Sequence, residues 1–540
     1  MKTAFTTSHG LSLKILLVIF LAAVSLCLLR PLVAGNGKDK ELPKSSLASE
    51  NLSSQPTELA RRIDSTIEQS DLGAARLGIS VISMVDGSTV YKRDSDKLFT
   101  PASNMKIYTT GVALDLLGAE YRWRTSVYAN SQPDANGEVR GDLILYGRGA
   151  PDLVASSNDP THGTLQKLAD DLYARGVRKV SGNVVGDESY FRGNPLGDGW
   201  QWNDLQWYFG AEASALSING NEVDVNFLPA AKAGASPVVR TSDTENYVTV
   251  QNQMAAVGRS GRPTIGVHRG LSDNNIEVWG EFAPDTKGFG ARLSVYKPAL
   301  WAAKLFARAL KARGIEVEGQ PISRDSRIAP SQRFDPSHSV ELVFVQSQPL
   351  GEIARKTNKE SNNLYAELIL RTLGRERGDT AGLPEAPGRE RGDDEAGLAV
   401  IRAWLERAGI ATDRLALHDG CGLSRLDLVT PETSARFLLA LTRTSAGSVF
   451  KDSLPLSGHD GTLAGRLETI KDRVSAKTGS LTYDNSLSGY LTTAQGQTLV
   501  FSIMCNDQTR RATSIRLIDQ IVTLLADYPN LPAEKSQKSE

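Results

Sequence analysis

The chain has 540 residues, of which 61 are basic and 62 acidic, for a net charge of −1. At roughly 150 residues per domain this is about three or four structural units, too long for a small disulfide-stapled scaffold, and the balanced charge argues against a general nucleic-acid binder, which carries a basic excess. A content of 40% hydrophobic and 23% charged residues is that of a globular chain, and three cysteines cannot build a disulfide framework.

The chain opens with an address. Lys2 and Lys14 precede an uncharged apolar run, 15–29. That run is short for a membrane span and suits the apolar core of a signal peptide. Leu32-Val33-Ala34 reads as the cleavage site, giving a signal peptide over 1–34. An uncleaved N-terminal anchor is the alternative, and either way the bulk of the chain is exported. Cleavage leaves 58 basic against 62 acidic residues, a net charge of −4. It also leaves only Cys421 and Cys505, whose pairing the sequence leaves open. Two separate buried thiols is the preferred reading, because Cys505 ends an apolar strand-like run.

Residues 35–55 are polar and aperiodic and read as a linker. Leu59, Ile63 and Ile67 recur every four residues, so an amphipathic helix begins near Thr57. A strand over 77–85, a turn at Asp86-Gly87 and a returning strand over 89–92 follow. Pro101-Ala102-Ser103-Asn104-Met105-Lys106 opens a helix to about Leu117. From 141 to 290 the chain changes character, with short β-rich runs punctuated by Gly, Asn and Asp and one helix over 164–175. These read as one or two inserted β-rich domains.

Helical patterning returns over 298–313, with a strand at 315–318 and two helices flanking Ser361-Asn362-Asn363. Gly374-Arg375-Glu376-Arg377-Gly378-Asp379 recurs at 388–393 and reads as a solvated loop. Three strands, 474–482, 486–493 and 498–505, precede a helix with Ile515, Ile518, Ile521 and Leu525 on one face. The tail, 529–540, is polar and expected to be disordered. The fold class is mixed α/β (α+β). The hairpin strands at the start and the three strands at the finish are expected to share one antiparallel sheet. Residues 56–140 and 291–528 would then form one domain around the insert.

Three short patterns carry chemistry. Ser103 and Lys106 stand at i and i+3 at a helix start, on one face, where free N–H groups favour developing negative charge. A lysine acts as base only when neutral, and moving its pKa from about 10.4 toward 7 takes roughly 4–5 kcal/mol of differential environment. Alone the pattern is unspecific, since Ser294-Val295-Tyr296-Lys297 also fits and an N-cap serine with a solvated lysine would look the same. Lys477-Thr478-Gly479-Ser480 is the only K-T-G in the chain. It offers a cation for a carboxylate, a side-chain-free point where a ligand backbone can approach, and backbone donors for an oxyanion. S-x-N occurs many times, but the copy at Ser361–Asn363 lies between two helices and between the other two motifs. A hydroxyl and an amide there can relay a proton and hold a substrate amide.

In this order the three motifs resemble the penicillin-recognising serine enzymes. The likeness narrows at 91–117, which holds Pro101–Lys106, at 182–191 (GNVVGDESYF), at 200–221, at 419–431 (DGCGLSRLDLVTP) and at 458–466 (GHDGTLAGR). Over about 55–528 the chain resembles the D-alanyl-D-alanine carboxypeptidase/endopeptidase family of low-molecular-mass class C penicillin-binding proteins.

The resemblance implies a transpeptidase-like domain, an antiparallel sheet flanked by helices, interrupted by the insert. It implies a peptidase of peptidoglycan stem peptides, periplasmic or wall-facing, inhibited by β-lactams. It implies neither metal nor cofactor and sets no oligomeric state. It makes Ser103 the acylated nucleophile, Lys106 its base, and Ser361 with Asn363 the second motif. Lys477 would meet the substrate carboxylate, with Thr478, Gly479 and Ser480 lining the oxyanion and substrate site. Asp187 and the Trp200–Trp202 region would face the diamino-acid side chain, although a turn-capping Asp187 and core tryptophans fit the residues equally. The chain departs from the family pattern at Cys421, where serine is usual, and at Ala150-Pro151-Asp152. Two rivals stay open: a β-lactamase, and a non-catalytic wall-binding or sensor protein on the same fold.

Overall fold

The computed structural model describes residues 57–529, apart from 160, 231–234, 257–263, 283–286, 329–331 and 379–392. The expected signal peptide, the linker, the tail beyond residue 529 and most of the second GRERGD copy lie outside the described residues. Among the described residues, no helix is long and apolar enough to cross a membrane.

The chain opens with α1 (Glu58–Glu68), capped by the Thr57 hydroxyl, with Leu59, Ile63 and Ile67 buried as the four-residue period requires. β1 (Arg76–Ser83) and β2 (Thr89–Arg93) form the hairpin, and α2 (Met105–Leu117) follows the S-x-x-K segment. α2 is buried almost all round, which explains why it shows no amphipathic stripe.

The insert is larger than its composition indicates. β3 (Arg124–Ala129), β4 (Leu143–Tyr146), α3 (Leu165–Ala174) and β5 (Val184–Asp187) begin it. β6 (Glu222–Leu228), β7 (Val238–Thr241), β8 (Thr249–Ala256), β9 (Gly266–Arg269), β10 (Asn275–Phe282) and β11 (Phe289–Ser294) continue it. α4 (Pro298–Arg313), β12 (Pro321–Arg324) and β13 (Val340–Gln346) complete it. A mixed sheet has the order β12-β5-β4-β3-β13, and the insert also holds three three-stranded sheets: β8-β10-β9, β11-β6-β7, and one of the short strands Glu316–Val317, Lys179–Val180 and Glu138–Val139. One hydrophobic core unites buried residues from Val127 to Val345.

The boundaries expected at 141 and 290 therefore cut through this unit. β3 and β13 pair with each other, Arg124 opposite Gln346, and α4 packs on the insert's sheet rather than on the flanking segments. Composition missed both edges because β3 and β13 are single strands beside helical stretches, and pairing across some two hundred residues leaves no local trace.

Beyond the insert come α5 (Leu350–Lys359), α6 (Asn363–Arg377), α7 (Asp394–Arg407), α8 (Pro431–Leu441) and α9 (Gly447–Ser453). The first GRERGD copy is not a loop at its start. Gly374–Arg377 is the last turn of α6, carried on by the buried run Leu368, Ile369, Leu370 and Leu373. β14 (Val474–Leu481), β15 (Asp484–Thr492), β16 (Thr498–Asn506) and α10 (Arg511–Ala526) close the chain. The expected shared sheet is present, antiparallel throughout, in the order β14-β15-β16-β1-β2. One face packs under α1 and α10, and the other under α2 and the helices from α5 to α9. Cys421 and Cys505 are both buried and free.

Candidate active site

Ser103 lies in a single 3-10 turn, Ala102–Asn104, that leads into α2. Ala102 holds a left-handed backbone, φ +50°. Gly422 explains how that turn is seated, because any Cβ there would overlap the Ala102 carbonyl oxygen. One turn on, Lys106 is fully buried. Its Nζ donates to Ser103 Oγ at 2.9 Å, to Asn363 Oδ1 at 2.7 Å and to the Cys421 carbonyl at 2.7 Å. Burial lowers its pKa, and the neighbouring Cys421, Asp419 and Glu367 oppose that shift.

Ser361 and Asn363 arrive from the α5–α6 corner. Ser361 is left-handed, φ +58°, so the chain turns sharply before the Asn362 side chain caps α6. Asn363 Nδ2 donates to the Phe209 carbonyl at 2.9 Å, which ties this corner to the insert. Lys477 stands on β14, fully buried, and donates to Ser361 Oγ and to the Thr478 carbonyl, each at 2.9 Å. Burial holds its pKa well below the ordinary lysine value, and the nearby Lys106 adds to the effect. Thr478 Oγ1 donates to Thr462 Oγ1 at 2.7 Å and Ser480 Oγ to Asn485 Oδ1 at 3.0 Å.

Gly479 differs from its expected use. A Cβ there would overlap Ser486 Oγ and crowd the Pro101 carbonyl oxygen at 2.5 Å. Its bare face therefore admits the protein's own Pro101–Asn104 segment against β14, not a ligand.

Ser103, Ser361, Asn363, Thr478 and Ser480 all line one cleft of about 870 Å³, walled on the insert side by Gln201, Asp204, Tyr208 and Phe209. Asp187 is not among its lining residues. It is fully buried at the end of β5, accepts from the Ser189 N–H at 2.9 Å and pairs with Arg324 at 3.2 Å. That is the turn-capping alternative, reinforced by an ion pair. Trp200 donates to Asp419 at 2.9 Å, whereas Trp202 is 67% exposed. The stray Ser294–Lys297 match is structural: Ser294 donates to the Leu205 carbonyl at 2.6 Å, and Lys297 precedes α4.

The loop from Asp419 to Ser424 supports the lysine from behind. Asp419 accepts from the N–H groups of Cys421 (3.1 Å), Gly422 (2.5 Å) and Ser424 (2.7 Å). This folds the loop so that the Cys421 carbonyl faces Lys106. Glu367, on α6, accepts from Gly420 N–H at 2.9 Å, and burial pushes its pKa up to about 8. Glu367, Asp419 and Cys421 bring potential metal-ligand atoms within 4.8 Å of one another. Both Asp419 oxygens and Glu367 Oε1 are engaged by backbone N–H groups, so the trio fastens the loop. Cys421 contributes its backbone oxygen, and burial pushes its thiol pKa well up.

Sequence reasoning missed the Phe209 and Cys421 carbonyls because a backbone acceptor leaves no residue signature. Asp419 was visible only as the first letter of the D-G-C-G-L-S-R stretch.

Residues 59–528 match the D-Ala-D-Ala carboxypeptidase 3 (S13) family. A D-alanyl-D-alanine carboxypeptidase of Actinomadura sp. (strain R39) is 33% identical over 485 residues, 87% of this chain and 85% of that protein. The D-alanyl-D-alanine carboxypeptidase DacB of Haemophilus influenzae is 28% identical over 445 residues, 79% of this chain and 86% of its own. The crystal structure of penicillin binding protein 4 (dacB) from Haemophilus influenzae has a TM-score of 0.75 at 24% identity, covering 86% of this chain and 99% of that one, a likeness of fold. From the first buried leucine of α1 to the end of α10, this chain belongs to the D-Ala-D-Ala carboxypeptidase 3 (S13) family of hydrolases.

Proposed function

We propose that this protein is an exported serine D-alanyl-D-alanine carboxypeptidase that hydrolyses peptidoglycan stem peptides through an acyl-enzyme on Ser103. The observation that carries the reading is the 2.9 Å contact between Ser103 Oγ and the Nζ of a fully buried lysine, Lys106. Burial disfavours the ammonium, so Lys106 can stand neutral and accept the Ser103 proton. Ser103 Oγ then bonds to the carbonyl carbon of the penultimate D-alanine. The carbonyl oxygen takes up charge between the backbone N–H groups of Ser103 and Ser480, where a helix start adds its own field.

Collapse of that intermediate breaks the C–N bond. The leaving amine needs a proton; Lys106 holds the one it took from Ser103, and the Ser361 hydroxyl, which lines the same cleft and lies 2.9 Å from Lys477 Nζ, can relay it. The substrate carboxylate falls to Lys477 and Thr478. Water repeats the sequence in the second half, with Lys106 taking its proton, which frees Ser103 and releases a shortened peptide. Cleavage of a D-alanyl–diamino-acid cross-link is the same chemistry with a larger leaving amine. A β-lactam presents a strained amide to the same hydroxyl and is the expected inhibitor.

Labelling with a fluorescent penicillin, followed by wash-out and mass spectrometry, tests the reading. A persistent adduct on the peptide containing Ser103, lost in Ser103→Ala without loss of the fold, is the expected result. Rapid loss of the label would make the protein a β-lactamase. No label would make it a non-catalytic wall binder, and an adduct on Ser294 or Ser361 would remove Ser103 from its role.

A further inference from the structure

The turn after the K-T-G-S strand carries a residue its backbone disfavours. Leu481 ends β14, Asp484 begins β15, and these two residues pair, so Thr482 and Tyr483 are the entire loop. Tyr483 has φ +73°. Glycine and asparagine occupy that region at the third position of a tight turn, whereas a bulky side chain there is strained. Such a residue persists only where its surroundings hold it. The Tyr483 carbonyl accepts from Gln508 N–H at 3.0 Å, and Arg425 pairs with the adjoining Asp484 at 2.9 Å. The side chain gains little burial in return. It is 55% exposed and lines the same cleft as Ser103 and Ser480. An aromatic ring kept in water on a strained backbone contributes little to the fold, which directs attention to what passes over it.

Chain direction identifies what passes. β14 is the edge strand of its sheet; its start bridges the 455–457 segment, Leu456 opposite Ser475, and beyond Ala476 no described strand pairs with its outer side. Such an edge receives an extended peptide by strand addition. With the substrate carboxylate at Lys477 and the scissile carbonyl at Ser480, the peptide runs antiparallel to β14. Its earlier residues then pass Leu481 and reach the turn. Three residues at about 3.3 Å each span about 10 Å, so the ring meets the stem peptide ahead of the diamino acid.

We infer that Tyr483 is a specificity-determining residue that packs on the first two residues of the stem peptide and selects substrates that extend beyond the diamino acid. This rests on the carboxypeptidase reading above.

The test uses the full-length protein and two substrates with the same last three residues, a stem pentapeptide and an N-acylated tripeptide. The ratio of their kcat/KM values is expected to fall at least fivefold in Tyr483→Ala and Tyr483→Gly and to survive in Tyr483→Phe. Tyr483→Gly should also raise Tm, since glycine takes the left-handed turn without strain, showing that the ring was removed and the fold kept. A ratio unchanged in the alanine and glycine variants overturns the inference, as does an equal loss on both substrates. Penicillin acylation of wild-type Ser103 needs no upstream peptide. An unlabelled wild type therefore sinks the carboxypeptidase reading itself, whereas a labelled wild type with an unchanged ratio sinks only the role of Tyr483.

Discussion

Two lysines lie fully buried within one cleft wall, and neither is paired with a carboxylate. Their hydrogen-bond partners are hydroxyls, an amide and backbone carbonyls, none of which compensates a full positive charge. Burial lowers the pKa of both lysines, and the nearby Lys106 lowers that of Lys477 further. An arriving carboxylate would supply the missing counter-charge at Lys477. Lys477→Ala is expected to lower kcat/KM for a D-alanyl-D-alanine peptide roughly ten- to a hundredfold, the value of about 1.5–3 kcal/mol for a charge-assisted hydrogen bond. Lys477→Arg should recover only part, because a planar fork does not reproduce a point charge in a site that already holds the Ser361 hydroxyl. Steady-state kinetics decide it, and an unchanged kcat/KM in the alanine variant would take Lys477 out of the site. At this scale the sequence is most legible. Ser103, Lys106, Ser361, Asn363 and Lys477 were found by motif order, and the structure gathers them around one cleft. Asp187 was not legible, because identity says nothing of whether a carboxylate faces a cleft or an arginine in the core.

α6 joins the candidate active site to the core. Its N-terminus presents Asn363, and one turn later Glu367 reaches the Asp419 loop. Glu367 also sets a pH dependence whose sign can be worked out. Its folded pKa is raised to about 8 from an ordinary 4.5, with burial as the main cause and Asp419 adding to it. The folded chain therefore holds a proton that the unfolded chain releases above pH 4.5. Its contribution to stability is fully present below that value and is lost as pH rises toward 8. Glu367→Gln mimics the protonated acid and retains an oxygen for Gly420 N–H. The two proteins should melt together near pH 4.5, and the variant should gain on wild type up to pH 8. Calorimetry across that range would show the gap, and parallel curves would mean that Glu367 is ionised in the fold. Elements with strong local periods, such as α1 and α10, were legible in the sequence. β3 and β13 were not, since their partners are remote and single strands carry a weak pattern. α2 was placed by its motif alone, because burial on every side erases the stripe.

At the scale of the whole molecule, the insert is joined by a narrow neck. Arg124 pairs with Gln346, and Ser347 N–H donates to the Trp123 carbonyl at 3.0 Å, so the chain leaves and returns within a hydrogen bond's reach. A two-residue linker can therefore join 123 to 347. The insert has its own core, yet it lends the site the Phe209 carbonyl on Asn363 and Trp200 on Asp419. The excised protein is expected to react with a small penicillin, more slowly than full length, and to lose discrimination among stem peptides that differ at the third residue. Circular dichroism and a cooperative melt establish that the shortened chain folds. A folded, excised protein that discriminates as well as full length would end the idea that the insert selects substrates.

The position of β1 in the sheet has a further consequence, in time rather than space. It lies between β2 and β16, and β16 is the last of the described strands to leave the ribosome. Ser103 and Lys106 leave the ribosome early, but Lys477 and the strands that frame it leave only near the end. Pairing between such remote segments closes a very long loop and is slow. Ser103 and Lys106 thus exist for most of synthesis without the Ser361–Asn363 corner and the β14 strand that complete the cleft around them. A chain cut short of β14 is expected to be chemically silent, with hydrolytic capacity appearing only after β14–β16 have been delivered.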